Sequence, residues 1–195
     1  MYSRKITGRE LTFGVSGLLY KANVLMYDRQ TESLWSQVRR QAVAGSMTGT
    51  KLEVVPSTLT TWKKWLKLHP DSQVLSTDTG YNRDYSRDPY QRYYESSGSS
   101  FFSFFKPGQR KNVAKLLVAG VTIDGTARAY PLELLRRKKT LTDTLAGQRI
   151  TLTFDPATDL LTISDAAGGV IPSVSVYWAV WQGMYPETGL FGEKP

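Results

Sequence analysis

Two periods organise the apolar residues of this chain: a period of two over most of its length, and a helical period at three short places. Residues 9–27 alternate weakly and predict a strand over 10–15, a turn region at Gly17-Leu18-Leu19 and a second strand over 23–27. The polar stretch 28–33 reads as a hairpin loop, from which Leu34-Trp35-Ser36-Gln37-Val38 returns as a strand. A clearer version stands at 150–154, where Ile150, Leu152 and Phe154 alternate with threonines. Asp155-Pro156-Ala157-Thr158-Asp159 has type I turn chemistry, and 160–163 returns. Segments 116–123 and 127–130 flank Asp124-Gly125, a two-residue hairpin signal.

Trp62, Trp65, Leu66 and His69 fall on one helical face, with Thr60 or Thr61 placed to cap it and Pro70 to stop it. Trp178, Trp181 and Tyr185 make the same stripe, closed by Pro186. A third short helix is predicted over 131–138, where Pro131 suits a first turn and Leu132, Leu134 and Leu135 supply apolar contact.

The two tryptophan stripes belong to a longer repetition. Val54-Val55-Pro56-Ser57, Trp62, Trp65 and Pro70-Asp71-Ser72 are answered, at one constant offset, by Val170-Ile171-Pro172-Ser173, Trp178, Trp181 and Pro186-Glu187-Thr188. Further upstream, Tyr27-Asp28-Arg29-Gln30-Thr31-Glu32 is matched by Phe154-Asp155-Pro156-Ala157-Thr158-Asp159. Such repetition predicts an internally duplicated α+β fold, mainly antiparallel hairpins with short tryptophan-bearing helices packed on them. The halves are 1–76, truncated at its start, and 112–195, joined by a connecting loop over 77–111 into one globular unit. Duplication of this kind puts Trp62 and Trp178 in like surroundings, as core residues. Truncation would leave the 10–15 strand with an unpaired edge, so a homodimer through that edge, or an N-terminal segment folded over it, is expected.

Composition narrows the chemistry. The chain has 195 residues, no cysteine and one histidine, His69. Thiol catalysis, disulfides and thiolate metal sites are therefore excluded within it, and a histidine-based metal site has too few ligands. His69 occupies the place of Tyr185 in the repeat, which marks a packing position; no cofactor and no metal are expected. No apolar run approaches the roughly 18 residues of a membrane helix, and residues 1–8 lack the apolar stretch of a signal peptide. The net charge of +8 gathers at Lys63, Lys64 and Lys67, at Arg136, Arg137, Lys138 and Lys139, and at arginines over 83–92. That balance suits polyanions but is also ordinary for solubility, so nucleic acid is not expected as a partner.

Phosphate-loop and nucleophile-elbow readings fail on spacing. Gly45 to Lys51 lacks the four-residue interval with a lysine directly after the second glycine, and Gly14-Val15-Ser16-Gly17 lacks a residue between Ser16 and Gly17. The segment 77–111 has neither period and interleaves Tyr81, Arg83, Tyr85, Arg87, Tyr90, Arg92, Tyr93 and Tyr94 before reaching Phe101, Phe102, Phe104 and Phe105. Its aromatics predict an ordered loop that wraps the surface. Tyrosine and arginine together can stack on rings and hold anions. A cross-braced loop whose arginines are neutralised by Asp84, Asp88 and Glu95 accounts for the same pattern.

The strings Leu11-Thr12-Phe13-Gly14-Val15-Ser16-Gly17, Met26-Tyr27-Asp28-Arg29, Val74-Leu75-Ser76-Thr77-Asp78-Thr79-Gly80-Tyr81 and Gly125-Thr126-Ala127-Arg128-Ala129-Tyr130-Pro131-Leu132 resemble the prokaryotic domain of unknown function 3179, over nearly the whole chain. The resemblance carries no established activity. It implies full-length relatives with a Cys-Pro-Leu-Cys segment upstream, of redox or metal-binding character, and an extracytoplasmic location. By the repeat, Asp155 and Thr158 stand at those two cysteine places, and neither does thiol chemistry. The leading expectation is a non-catalytic binding or scaffold domain. The alternatives are an enzyme with a polar pocket built by 77–94 against Asp28, Arg29 and Arg128, and a basic polyanion-binding protein. The binding candidates are Asp28, Arg29, Tyr81, Arg83, Tyr85, Arg87 and Arg128; Trp62, Trp65, Pro70, Trp178, Trp181 and Pro186 are structural residues of the repeat.

Overall fold

A computed structural model describes residues 1–55, 57, 59–91 and 114–192. The candidates Arg92, Tyr93, Tyr94, Glu95 and the phenylalanine run at 101–105 lie outside the described residues. The fold is α+β, with short helices on mostly antiparallel sheets, as the two periods predict.

The chain opens with a small hairpin, β1 (Lys5–Ile6) and β2 (Arg9–Glu10). A four-stranded meander follows: β3 (Phe13–Tyr20), β4 (Asn23–Asp28), β5 (Leu34–Ser36) and β6 (Gln41–Ala44), in the order β3-β4-β5-β6. The expected 10–15 strand is thus divided, because Leu11 turns its side chain into the core between β2 and β3. The expected turn at Gly17 is not one. The strand runs on to Tyr20 with a register shift between Val15 and Leu19, and Gly17 (φ +74°) sits inside that irregularity. Positive φ at Gly17 is what a β-bulge uses, so the glycine bends the strand without ending it. The hairpin closes instead at Lys21 and Ala22, both with positive φ (47° and 62°). β3 is an edge strand with exposed Val15, Leu18 and Leu19. Trp35, fully buried, anchors this part, packing edge-on to Phe13 with Ile6, Leu11, Ala42 and Leu52 around it.

Helix α1 (Trp62–Leu68) leads away from the meander, capped by Thr61, whose hydroxyl accepts from the Lys64 N–H. The second part begins with the hairpin β7 (Leu117–Ile123) and β8 (Thr126–Pro131), turned by Asp124 and Gly125 at positive φ. It continues through α2 (Leu132–Lys138), β9 (Thr140–Leu145), β10 (Gln148–Asp155) and β11 (Leu160–Asp165). Last come β12 (Val174–Tyr177), α3 (Trp178–Met184) and β13 (Gly189–Leu190). One sheet has the order β12-β7-β8-β13, with β13 parallel to β8; the other has the order β11-β10-β9.

β7 is buried on both faces, which explains its unbroken apolar sequence. Ala119, Val121 and Ile123 enter the larger core with Tyr130, Leu135, Leu145, Ile150, Leu152 and Ile163. Val118, on the opposite face, joins Trp178, Trp181 and Met184 of α3 and Val38 of the first part. Gly120 is the floor under Trp181: a Cβ there would stand 2.3 Å from the indole ring.

Burial separates the two tryptophan helices. Trp178 and Trp181 are 3% and 0% exposed, while Trp62 and Trp65 are 46% and 40% exposed, and α1 has no buried residue. The expectation of like surroundings fails, and with it the expectation that Trp62 and Trp65 are core residues. The physical reason is local. Among the described residues, α1 is tied to the second part at its amino-terminal end and Lys64: Thr60 donates to the Thr158 carbonyl (2.6 Å), and the Lys64 ammonium binds the Pro156 carbonyl (2.7 Å) and Asp159 (2.8 Å). These tethers leave Trp62 and Trp65 exposed rather than packed in a core.

Candidate functional site

The sequence-derived binding residues do not converge. Asp28 ends β4 fully buried, where its carboxylate accepts from the Thr31 N–H (2.6 Å), the Thr31 hydroxyl (2.7 Å) and the Trp35 indole N–H (2.8 Å). Burial works to raise its pKa, but the hydrogen bonds from Trp35 and Thr31 prevail and hold it below the usual carboxylate range. These bonds hold the 28–33 loop to the core tryptophan. Arg29 faces solvent, donating to the Tyr27 hydroxyl (3.0 Å) with its guanidinium over that ring. Arg128 lies on β8 in the second part, paired with Asp143 of β9 through both carboxylate oxygens (2.9 and 3.2 Å). Asp143 also accepts from the Tyr130 hydroxyl (2.7 Å), and burial followed by that bond pushes the Tyr130 pKa well up.

Tyr81, Arg83, Tyr85 and Arg87 are exposed. The Tyr85 hydroxyl meets the Thr79 hydroxyl (2.8 Å), and Arg83 lies over the Tyr85 ring. Asp84 accepts from Ser86, and Asp88 from the Tyr90 N–H; among the described residues neither has an arginine within ion-pair distance. In the described part of this loop Tyr81, Tyr85 and Tyr90 are exposed. Pro70 and Pro186 each stand immediately after a helix C-cap, His69 and Tyr185.

Asp155 and Thr158 hold a turn. The Asp155 carboxylate accepts from the Thr158 hydroxyl (2.7 Å) and the Ala157 N–H (2.8 Å), and these bonds lower its pKa, the Thr158 bond most. Among the described residues no three of His, Cys, Asp and Glu are grouped to hold a metal ion, and no helix is long and apolar enough to cross a membrane. A cleft of about 510 Å³ brings Ser57 opposite Ser173. Among the described residues its charged groups are the Met1 ammonium, Arg136 and Asp159, and Asp159 is already engaged by Lys64.

Chemistry of a different kind gathers on α1. The Trp65 indole N–H donates to the Ser72 hydroxyl (2.8 Å), and the ring stacks on His69 with centroids 4.0 Å apart at 33°. In α3 the Trp181 indole N–H donates to the Thr188 hydroxyl (2.9 Å), and its ring stacks on Tyr185 at 4.4 Å and 38°. Both helices end the same way, with C-caps at φ −134°, ψ 71° and φ −130°, ψ 79° whose N–H groups return to the tryptophan carbonyl. The Ser72 and Thr188 N–H groups then bond the His69 and Tyr185 carbonyls (3.1 and 3.0 Å). Two indoles are thus held in one local geometry, one seated on Gly120 and the other open. Trp62 and Leu68 (54% exposed), three residues to either side of the open one, are its neighbours on the helix.

Sequence reasoning found these residues and misassigned the open pair. An amphipathic stripe looks the same in a sequence whether its apolar face is covered within the chain or by something else.

The family model described as protein of unknown function (DUF3179) matches residues 1–169. No curated protein and no solved structure matches the chain.

Proposed function

We propose that this chain, which belongs to the DUF3179 family, is a docking domain without catalytic chemistry of its own, and that the Trp62/Trp65 face of α1 receives a glycine-bearing β-hairpin of a partner polypeptide. One observation carries the reading: Trp65 is pre-set by Ser72 and His69 as Trp181 is by Thr188 and Tyr185, yet stands open where Trp181 is covered. Pre-setting matters because an exposed indole free to rotate would lose side-chain entropy on binding, whereas one already bonded and stacked loses little. Exposed tryptophan is also costly to leave without a use, and tryptophan is enriched among the residues that carry binding energy.

The occupant follows from what Trp181 covers. Its ring lies on the bare backbone of Gly120 in β7, flanked by Val118 and by Ala129 of β8. A strand with glycine at the contact and small or branched neighbours fits an indole held this way; any larger residue at the glycine would collide. Support for the non-catalytic part comes from Asp28, Asp143 and Asp155, each engaged in bonds that fix a turn or a strand.

The test is a titration with a covalently closed synthetic hairpin carrying residues 116–131, which present Gly120. Closure matters because an open two-stranded hairpin is at best marginally stable in water. Saturable binding to the intact chain is expected, weakened at least about tenfold by Trp65→Ala, the loss of one well-packed anchor. A Gly120→Val version of the peptide should bind more weakly, since its side chain would collide with the indole. No binding at millimolar hairpin, or equal binding by the Trp65→Ala chain, would refute the docking role.

A further inference from the structure

A second surface, independent of α1, gathers cationic side chains in one seam. The β5–β6 turn of the first part meets the β7–β8 hairpin and the end of α3, and the seam is lined by Arg39, Arg40, Lys51, Thr122, Gly125 and Tyr185 around a cavity of about 330 Å³. Arg39 and Arg40 are half-buried there. The Arg39 guanidinium donates to the Met184 carbonyl (2.8 Å) and lies over the Tyr185 ring, and Arg40 donates to the Thr122 hydroxyl. A guanidinium has five N–H donors, so each arginine is held in place with donors to spare.

Among the described residues none of Arg39, Arg40 and Lys51 has a carboxylate within ion-pair distance, and no acidic side chain lines this cavity. Three cations converging on one seam repel one another, and partial burial strengthens that repulsion. Arg40 adopts positive φ (56°) at the end of its turn, which places its backbone carbonyl for the Leu52 N–H. Tyr185 adds a hydroxyl bonded to the Val38 carbonyl (3.1 Å). Burial raises its pKa, with Arg40 and Arg39 pulling the other way.

We propose that this seam binds a small phosphomonoester, its phosphate held by Arg39, Arg40 and Lys51. Arginines with spare donors in a fixed fork geometry, with a lysine and no carboxylate lining the same cavity, suit an oxyanion with several acceptor oxygens. The rest of the ligand has a place. An adjoining cavity of about 360 Å³ shares Arg39, Gly125 and Tyr185 and continues along Thr126, Ala127, Met184 and Pro186 to Glu187. Glu187 disfavours a second anionic group at that end and accepts hydrogen bonds from hydroxyls. The ligand therefore has one phosphate head and a neutral, hydroxyl-bearing body.

Thermal unfolding and calorimetric titration of the intact chain test this, with inorganic phosphate, glycerol 3-phosphate, acetate and sodium chloride compared at equal ionic strength. Phosphate should raise the midpoint saturably, glycerol 3-phosphate should bind more tightly than phosphate, and acetate should bind more weakly than either. Lys51→Gln, an exposed site whose loss leaves the fold intact, should weaken phosphate binding about tenfold, as removal of one charge-assisted contact does. Arg39→Gln should do the same, and Trp65→Ala should leave phosphate binding unchanged, which separates this site from the docking face. A midpoint shift no larger in phosphate than in chloride, or a Lys51→Gln titration that overlays the wild type, would overturn the proposal.

Discussion

Replacing Trp181 and Trp65 by alanine, one at a time, separates a tryptophan that holds the fold from one that is held ready outside it. Trp181 is 0% exposed, its ring covers Gly120 and its N–H bonds Thr188. Truncating a buried tryptophan costs about 3–5 kcal/mol, since transfer free energy is lost and a cavity remains. The bare glycine beneath leaves no side chain to fill that cavity, which puts the cost toward the upper end. For a chain of this size each kcal/mol moves the midpoint by about 2–4 °C, so Trp181→Ala should lower it by about 6–20 °C. Trp65 is 40% exposed, and its two local contacts, the Ser72 bond and the His69 stack, are exposed too. An exposed bond and stack are together worth about 1 kcal/mol, so Trp65→Ala should cost only a few degrees. Thermal unfolding followed by circular dichroism reads both. If Trp65→Ala destabilises as much as Trp181→Ala, α1 is a buried structural element and the account of an open docking face is wrong.

Gly120→Ala puts a methyl where the Trp181 ring lies, 2.3 Å from it, and overpacking of this kind costs about 1–3 kcal/mol, read as a lowered denaturant midpoint with an unchanged slope. Asp143→Ala removes the acceptor shared by Arg128 and the buried Tyr130 hydroxyl and should cost about 2–3 kcal/mol, while Asp143→Asn, which keeps one acceptor, should cost less. Asp28 has a folded pKa below its unfolded value, near 3.9 in model peptides, so its contribution is fully present above that value and lost as pH falls through the depressed folded one. Chemical denaturation between about pH 6 and pH 2 should therefore show a stability loss on the acid side that Asp28→Asn flattens while lowering stability at neutral pH.

Much of the fold was legible because strong local signals agreed with tertiary structure. The α1 and α3 boundaries follow from a stripe closed by proline, and the β7–β8 turn follows from Asp124-Gly125. Legibility failed where a residue type serves two purposes. Gly17 reads as a turn but occupies a bulge, while the true turn at Lys21 and Ala22 has neither glycine nor proline to announce it. The two-residue strand β13 pairs parallel with β8, and a pattern of two residues has no period to detect. Sequence reading placed the binding candidates on Asp28 and Arg128 because their motifs are distinctive, and the structure shows each motif holding a local network. The seam of Arg39, Arg40, Lys51, Thr122 and Tyr185 left no trace in the sequence, since its members lie on separate segments and only the fold assembles them.

Acrylamide quenching of tryptophan emission tests the central claim most directly, because the five tryptophans divide cleanly. Trp35, Trp178 and Trp181 are buried, and Trp62 and Trp65 are open. The account predicts a quencher-accessible fraction in the free chain that disappears in the Trp62→Ala/Trp65→Ala variant and shrinks when the closed Gly120 hairpin is added to the wild type. An accessible fraction that survives the double substitution, or is unchanged at saturating hairpin, would contradict it.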